Sequence, residues 1–552
     1  MTAQLYTDAA VFTADRDRLA AEAFAVADGV FVAVGTDAEV RAELDRRGIR
    51  DIDETRLDGA FVLPGIVDSH AHLAMFGEAL GKVALRDCRS LAQIQERLRD
   101  ARAAAPAAKR ILGVGWLFDA VGEARPTAEM IDAVVSDLPV YLDANDLHSC
   151  WVNQAALAEM GICADTPDPI GGEIARDAEG RATGMLYETA CTQYVWGFLA
   201  AQTTPDELVV RLERAFAGYL ADGVTTVTDM ALTAAEVAAM RGMIARDGRL
   251  PFPVTGHMLI EPSGDTDTDL ALVAATVRLR DELAASGDDE WLRVVGMKFI
   301  MDGVIDACTA AMRAPYADGS NCDPIWSYEA ACPVAAAADA AGLQIAMHAI
   351  GDRTSEIALD VLEYCIRRNG ERARRHRVEH LESVTEDTIA RMARGGVVAS
   401  MQPVHCDPAV LSNWKAVLAD ERQERGFPWQ WLRAHGVAYA LSTDAPTAPH
   451  QPLPNLYIAL TGKSVLDPAL DAYHPERAFT PEDALIAVTQ GGAYAGGFEA
   501  LRGRIASGLE ANFVVLDTDP LTADPEALLA ASVRAVYVRG QLPRRSGPGR
   551  SS

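Results

Sequence analysis

The chain has 552 residues, of which 49% are hydrophobic and 23% charged. That is ordinary globular composition in a length that exceeds one core, so a large catalytic domain with a smaller one attached is expected. The formal charge of −29, from 79 acids against 50 bases, repels phosphate backbones and sets nucleic acid aside as a partner. No apolar run approaches the ~20 residues of a membrane span, and the first residues, MTAQLYTDAAVFTADRDR, do not read as a signal peptide.

In chain order, residues 5 to 35 hold two short β-like pieces, LYTDAAVFTA and FAVADGVFVAVG, separated by a charged stretch and containing a DG turn signal. The same texture returns near the end, in ANFVVLDTDP and VRAVYVRGQLP. Neither end buries itself alone, so the two are expected to pair as one discontinuous β-sandwich over 1–60 plus 490–552. Between them, apolar runs alternate with helical stretches. The strand candidates are VLPGIVDSH, LPVYLDAND, VTTVTDM, FPVTGHM, VVGMKFIMD, LQIAMHA, RVEHL, GVVASMQP and VAYALSTD. Helical pieces such as EIALDVLEYCIRRNG and TEDTIARMARGG stop at glycine after basic residues. This alternation predicts an α/β fold, a (β/α)8 TIM barrel over 61–489. Nine candidates stand for eight places, with FPVTGHM and VVGMKFIMD competing for the fourth, and the long stretch at about 105–200 reads as an inserted subdomain or lid. Nine cysteines, at 88, 150, 163, 191, 308, 322, 332, 365 and 406, include no CxxC pair, which predicts reduced thiols and a cytoplasmic protein.

Of the eleven histidines, four fall at the C-terminal ends of strand candidates: His70, His72, His348 and His380. Asp444 takes the same place in VAYALSTDAP. His70 and His72 alternate with one alanine, so on a strand both side chains leave the same face. The carboxyl ends of barrel strands are where catalytic groups converge, and imidazole with carboxylate is the donor set of Zn2+ or another divalent ion. Lys298, in VVGMKFIMDG, is an ammonium in an apolar run, costly to bury alone; snorkelling to the surface or pairing with Asp302 would relieve it.

The order of these motifs resembles the amidohydrolase superfamily, and closely its YtcJ-like branch, which includes N-substituted formamide deformylases. LPGIVDSHAH is similar to the first-strand motif, and DLHSCWVNQAAL and PIGGEIARDAEGRATGMLYE to segments of that branch. MKFIMDG, HAIGD, HRVEHLE and LSTDAPTAPHQPL follow in its order. The resemblance implies a distorted barrel with a composite β-sandwich and a centre of one or two divalent ions. Its ligands would come from His70, His72, Lys298 as N6-carboxylysine, His348, His380 and Asp444. The chain departs from the branch at DGVIDACTA, residues 302–310, where the branch has DGSLG before TA, which leaves the contacts around Val304 to Cys308 open.

The function expected is a metal-dependent amidohydrolase that cleaves a C–N bond of a small molecule (an amide, formamide or carbamate) by metal-activated hydroxide. Asp444 would act as general base and acid, with Lys298 and His348 as further catalytic residues. Trp116, His148, Glu188, Asp302 and Glu379 are the substrate-contact candidates, and a homodimer is the expected assembly. The rivals are a metal-dependent lyase or isomerase on the same scaffold, and a non-catalytic scaffold, which would show broken ligands.

Overall fold

The computed structural model describes residues 2–122, 125–144, 149–169, 172–188 and 190–543. The chain divides into two compact units, Met1–Leu73 with Phe216–Ser552, and Ala74–Ala215.

The first unit contains an eight-stranded parallel sheet, numbered here β1 Ile66–Ala71, β2 Val224–Leu232, β3 Val254–Ile260, β4 Leu292–Ile300, β5 Gln344–Ala349, β6 Arg377–His380, β7 Val398–Met401 and β8 Tyr439–Leu441. Each strand pairs with the next in this order, and two backbone bonds bring the last segment back to the first: Asp444 N to His70 O at 2.8 Å and His72 N to Ala445 O at 3.0 Å. The result is a nearly closed TIM-like barrel, as expected. Helices between strands start and stop on local chemistry. The helix Ala234–Asp247 opens with a Thr233–Glu236 capping box and ends at Gly248 with φ 74°. Glu386–Gly395 is capped by Thr385 and ends at Gly396 with φ 62°.

The stretch VLPGIVDSH is two strands rather than one. Phe61–Pro64 pairs antiparallel with Phe513–Leu516, and β1 begins only after Gly65. A side chain at Gly65 would strike the Thr225 hydroxyl at 2.0 Å, so the chain crosses from one sheet to the next where only glycine fits. Phe61–Pro64 thereby becomes the centre of a five-stranded sheet made from both ends of the chain: Val533–Tyr537, Phe513–Leu516, Phe61–Pro64, Ala10–Phe12 and Ala20–Ala21. A four-stranded sheet of Val30–Gly35, Ala23–Ala27, Thr2–Thr7 and Asp51–Arg56 contributes to the same hydrophobic cluster. Tyr6 stacks on Phe24 at 4.9 Å, and Phe513 on Tyr537 at 4.3 Å. The terminal β segments are interdependent: each buries the other's apolar face.

The second unit carries a six-stranded mixed sheet in the order Gly172–Arg176, Ala182–Glu188, Ser149–Val152, Val140–Ala144, Ile111–Trp116, Val83–Ala84. LPVYLDAND supplies its Val140–Ala144 strand. The surplus barrel candidate is therefore this one, and FPVTGHM and VVGMKFIMD do not compete: they are β3 and β4. Among the described residues no helix is long and apolar enough to cross a membrane, and no disulfide is present.

Candidate metal centre

Each candidate ligand lies at or just past the C-terminal end of a barrel strand. His70 is in β1 and His72 one residue beyond it, Lys298 in β4, His348 in β5, His380 at the last position of β6, and Asp444 three residues after β8. The backbone bends sharply there: φ is 75° at His380 and 58° at Asp444. Left-handed conformations at non-glycine residues cost about 1–3 kcal/mol each and persist where the surroundings enforce them.

Asp444 sits between two groups of histidines. Its Oδ1 is 3.3 Å from His70 Nε2 and 3.1 Å from His72 Nε2. Its Oδ2 is 3.6 Å from His405 Nε2 and 4.0 Å from His380 Nδ1. Around these atoms His70 and His380 lie 4.9 Å apart between ring centres, and His348 and His380 4.4 Å. Donor atoms of His70, His72 and Asp444 fall within 4.8 Å of one another, and so do those of His380, Glu382 and His405. Both sets have the imidazole and carboxylate chemistry that a divalent ion requires.

Neighbouring groups hold the rings. His70 donates from Nδ1 to Glu379 Oε2 at 2.7 Å, leaving the Nε2 lone pair toward Asp444. His380 donates from Nδ1 to Gln402 Oε1 at 2.8 Å, and Gln402 Nε2 donates to Ser442 Oγ at 2.9 Å. His348 donates from Nε2 to Gly303 O at 3.1 Å. Such partners set the tautomer that a metal ligand needs. Burial, and then the Lys298 charge, pushes His70 down to about 4 and His348 to about 3. His380 is also pushed well down, by burial and then by His348. These imidazoles are neutral at pH 7. Burial alone would raise Asp444, but the surrounding histidines, His70 first and then the His72 hydrogen bond, hold it well below the usual carboxylate range.

Lys298 is only 2% exposed, and burial brings its amine down to about 8. Asp302 does not serve as its counter-ion. The Asp302 carboxylate accepts from Ala311 N, Ile350 N and Gly351 N at 2.9 to 3.1 Å, tying the loop after β4 to the end of β5, and burial raises it to about 7.

The other substrate-contact candidates stand in different surroundings. Glu379 is fully buried, between His70 and the equally buried Arg377, which donates through Nε and Nη2. Trp116 is in the core of the second unit, its Nε1 donating to Leu142 O at 3.1 Å and its ring 5.3 Å from Trp151. Glu188 ends the strand Ala182–Glu188. His148 lies outside the described residues.

A cavity of about 330 Å³ opens over the cluster, with His70, His72, Lys298, His348, His380 and Asp444 all on its wall. Asp306, within the span 304–308 whose contacts the sequence left open, also lines it, as do His405 and Glu382, which no motif singled out. His405 follows β7 by four residues, nearly the offset of Asp444 after β8, so its place past GVVASMQP was a usable signal. Glu382, which accepts from His405 Nδ1 at 3.1 Å, had none.

The chain is similar to known proteins along nearly its whole length. The chain is 28% identical to YtcJ of Bacillus subtilis (strain 168), over 94% of this chain and 95% of that protein. It is also 28% identical to the N-substituted formamide deformylase of Arthrobacter pascens, over 97% of each chain. An uncharacterized metal-dependent hydrolase from Pyrococcus horikoshii OT3 has the same fold, with a TM-score of 0.76 at 24% identity, covering 95% of this chain and 99% of that one. The amidohydrolase family model matches residues 54–542, from the end of the N-terminal sandwich strands through all eight barrel strands and the C-terminal pair, and the chain belongs to that family.

Proposed function

We propose that this chain hydrolyses a non-peptide C–N bond of a small molecule, a formamide, amide or carbamate, at a centre of one or two divalent ions. The observation that carries the reading is Asp444: its two carboxylate oxygens face different groups of histidines, all at the C-terminal end of the barrel and on one cavity wall. The relation to a formamide deformylase along nearly the whole chain supports the bond type.

His70, His72, His348, His380 and Asp444 would hold the metal, with Lys298, as a carbamate, a further ligand. A divalent ion there supplies Lewis acidity and lowers the pKa of water from 15.7 toward 7. Asp444, ionised and beside the site of attack, accepts the proton of the attacking water and returns it to the leaving nitrogen, so that water and the amide become an acid and an amine. His70 is kept in its metal-binding tautomer by Glu379. Lys298 fits the carbamate role because a buried amine near pKa 8 offers its neutral form to CO2 at modest cost.

The test is a panel of formamides, amides and carbamates offered to metal-reconstituted protein in heavy-oxygen water. Hydrolysis puts the label into the released acid. Conversion of a substrate without label in the product would overturn the reading in favour of lyase or isomerase chemistry.

A further inference from the structure

Glu382 and His405, which the ligand set implied by the family resemblance does not include, repeat the arrangement that fixes His70. Glu379 Oε2 holds His70 Nδ1 at 2.7 Å, and His70 Nε2 stands 3.3 Å from Asp444 Oδ1. In the same way Glu382 Oε1 holds His405 Nδ1 at 3.1 Å, and His405 Nε2 stands 3.6 Å from Asp444 Oδ2. Each oxygen of one carboxylate faces an imidazole whose far nitrogen is bonded to a glutamate. The segment after β7 places His405. Its own N–H donates to Gln402 O at 3.0 Å, and the Val404 N–H donates to Asn455 Oδ1 at 2.8 Å. The Gln402 side chain at the same time holds His380 Nδ1. The His380 and His405 rings lie within 10° of parallel, with centres 5.7 Å apart.

The spacing separates a shared ion from a hydrogen bond. An N–H···O bond spans about 2.7–3.2 Å, so at 3.6 Å His405 Nε2 does not bond to Asp444 directly. Among the described residues that nitrogen has no other hydrogen-bond partner. Two ligands about 2.0–2.1 Å from a tetrahedral divalent ion lie about 3.3 Å apart, and a modestly wider angle at the ion gives the 3.6 Å seen here. Glu382 keeps a proton on Nδ1 and leaves the Nε2 lone pair free, the tautomer that a ligating histidine needs. Donor atoms of His380, Glu382 and His405 come within 4.8 Å of one another. Resting on the metal-hydrolase reading of this cavity, we propose that the centre holds two ions, and that His405 Nε2 is a ligand of the ion on the Oδ2 side of Asp444, with Glu382 positioning the ring.

The test titrates metal-free, full-length protein with cobalt(II). Calorimetry reads the stoichiometry and affinity, and visible absorption reads the coordination, so no substrate is needed. Wild type should take up two equivalents. His405→Ala should take up one, with the absorption of the second ion lost. Glu382→Gln should keep the first site unchanged and weaken the second by about 10–100-fold, the usual effect of losing the partner of a ligating histidine. Two equivalents in His405→Ala, with wild-type affinity and spectrum, overturn the proposal and leave His405 to face the substrate. A single equivalent in wild type also overturns it, while the hydrolase reading stands on one ion. A wild type that binds no ion at all removes the hydrolase reading together with the proposal. Circular dichroism checks the fold of each variant. If His405→Ala does not fold, Glu382→Gln decides, and an unchanged second-site affinity there overturns the proposal.

Discussion

Glu379 Oε2 stands 2.7 Å from His70 Nδ1, linking the sixth barrel strand to the first. Behind it Arg377, 0% exposed, supplies the charge that lets a fully buried glutamate stay ionised; its pKa is held well below the usual range, against burial, by Arg377 and then by the His70 hydrogen bond. Replacing Glu379 by Gln keeps the shape, weakens the hold on His70 and leaves Arg377 without its counter-charge. Removing one member of a buried ion pair costs about 3–5 kcal/mol, and losing the partner of a ligating histidine weakens metal binding about 10–100-fold. Denaturant unfolding and a metal-competition titration on Glu379→Gln should show both losses. Unchanged metal affinity would show that Glu379 does not position His70.

Asp444→Asn is the sharpest test of the proton carrier. Asparagine tolerates the left-handed backbone at this position as aspartate does, so the fold should hold, and the neutral imidazoles should keep most of the metal. Turnover should fall by at least ~100-fold. The competing view gives Asp444 only a structural role in the turn it opens, where Thr447 N donates to its backbone oxygen at 3.0 Å. A variant retaining more than about a tenth of wild-type turnover would refute the base assignment.

Lys298→Ala should lose the carbamate and with it one of two ions. Carbon-13 bicarbonate added to apo-protein with metal should produce a carbamate signal in wild type and none in the variant. Full metal occupancy in Lys298→Ala, with no such signal in wild type, would leave Lys298 as a free buried amine and reduce the centre to a single ion.

At the opposite, N-terminal end of β5 and β6, Asp339 provides a stability test away from the metal. Its carboxylate, 1% exposed, pairs with Arg374 at 2.8 Å and with His376 at 3.0 Å. Burial opposes ionisation, but the hydrogen bonds from His376, Arg374, Asn369 and Arg372 outweigh it and depress the pKa. A depressed carboxylate contributes fully above its unfolded value near 3.9 and loses that contribution as pH falls below it. Asp339→Asn should therefore destabilise by about 3–5 kcal/mol, by a constant amount from pH 8 to pH 5. The gap to wild type should narrow only below about pH 4. Urea midpoints across that range decide it, and a gap that vanishes by pH 6 would contradict the account.

Much of this arrangement is legible without coordinates because the relevant signals are local. His70 and His72 announce themselves by period-two spacing at the end of an apolar run. His348 and His380 stand at the ends of apolar strands, and Asp444 just past one. What is not local is not readable. LPVYLDAND has the composition of a barrel strand, and only its partners Ile111–Trp116 and Ser149–Val152 place it in another sheet. The crossing at Gly65 depends on the Thr225 hydroxyl, 160 residues away in sequence. Glu379 adjoins His380 in sequence, but on a strand neighbours face opposite ways, and that its side chain meets His70, more than 300 residues earlier, is set by the barrel and not by any local pattern. Asp306 and Trp414 lie in loops whose shape no spacing rule encodes.

The account stands most directly on metal. Elemental analysis and turnover should be measured on one preparation, before and after chelation and again after a divalent ion is restored. The prediction is one or two equivalents of divalent ion per chain, activity that disappears with the ion and returns with it, and a His70→Ala/His72→Ala variant that binds little metal. A metal-free preparation with full hydrolytic activity would contradict it.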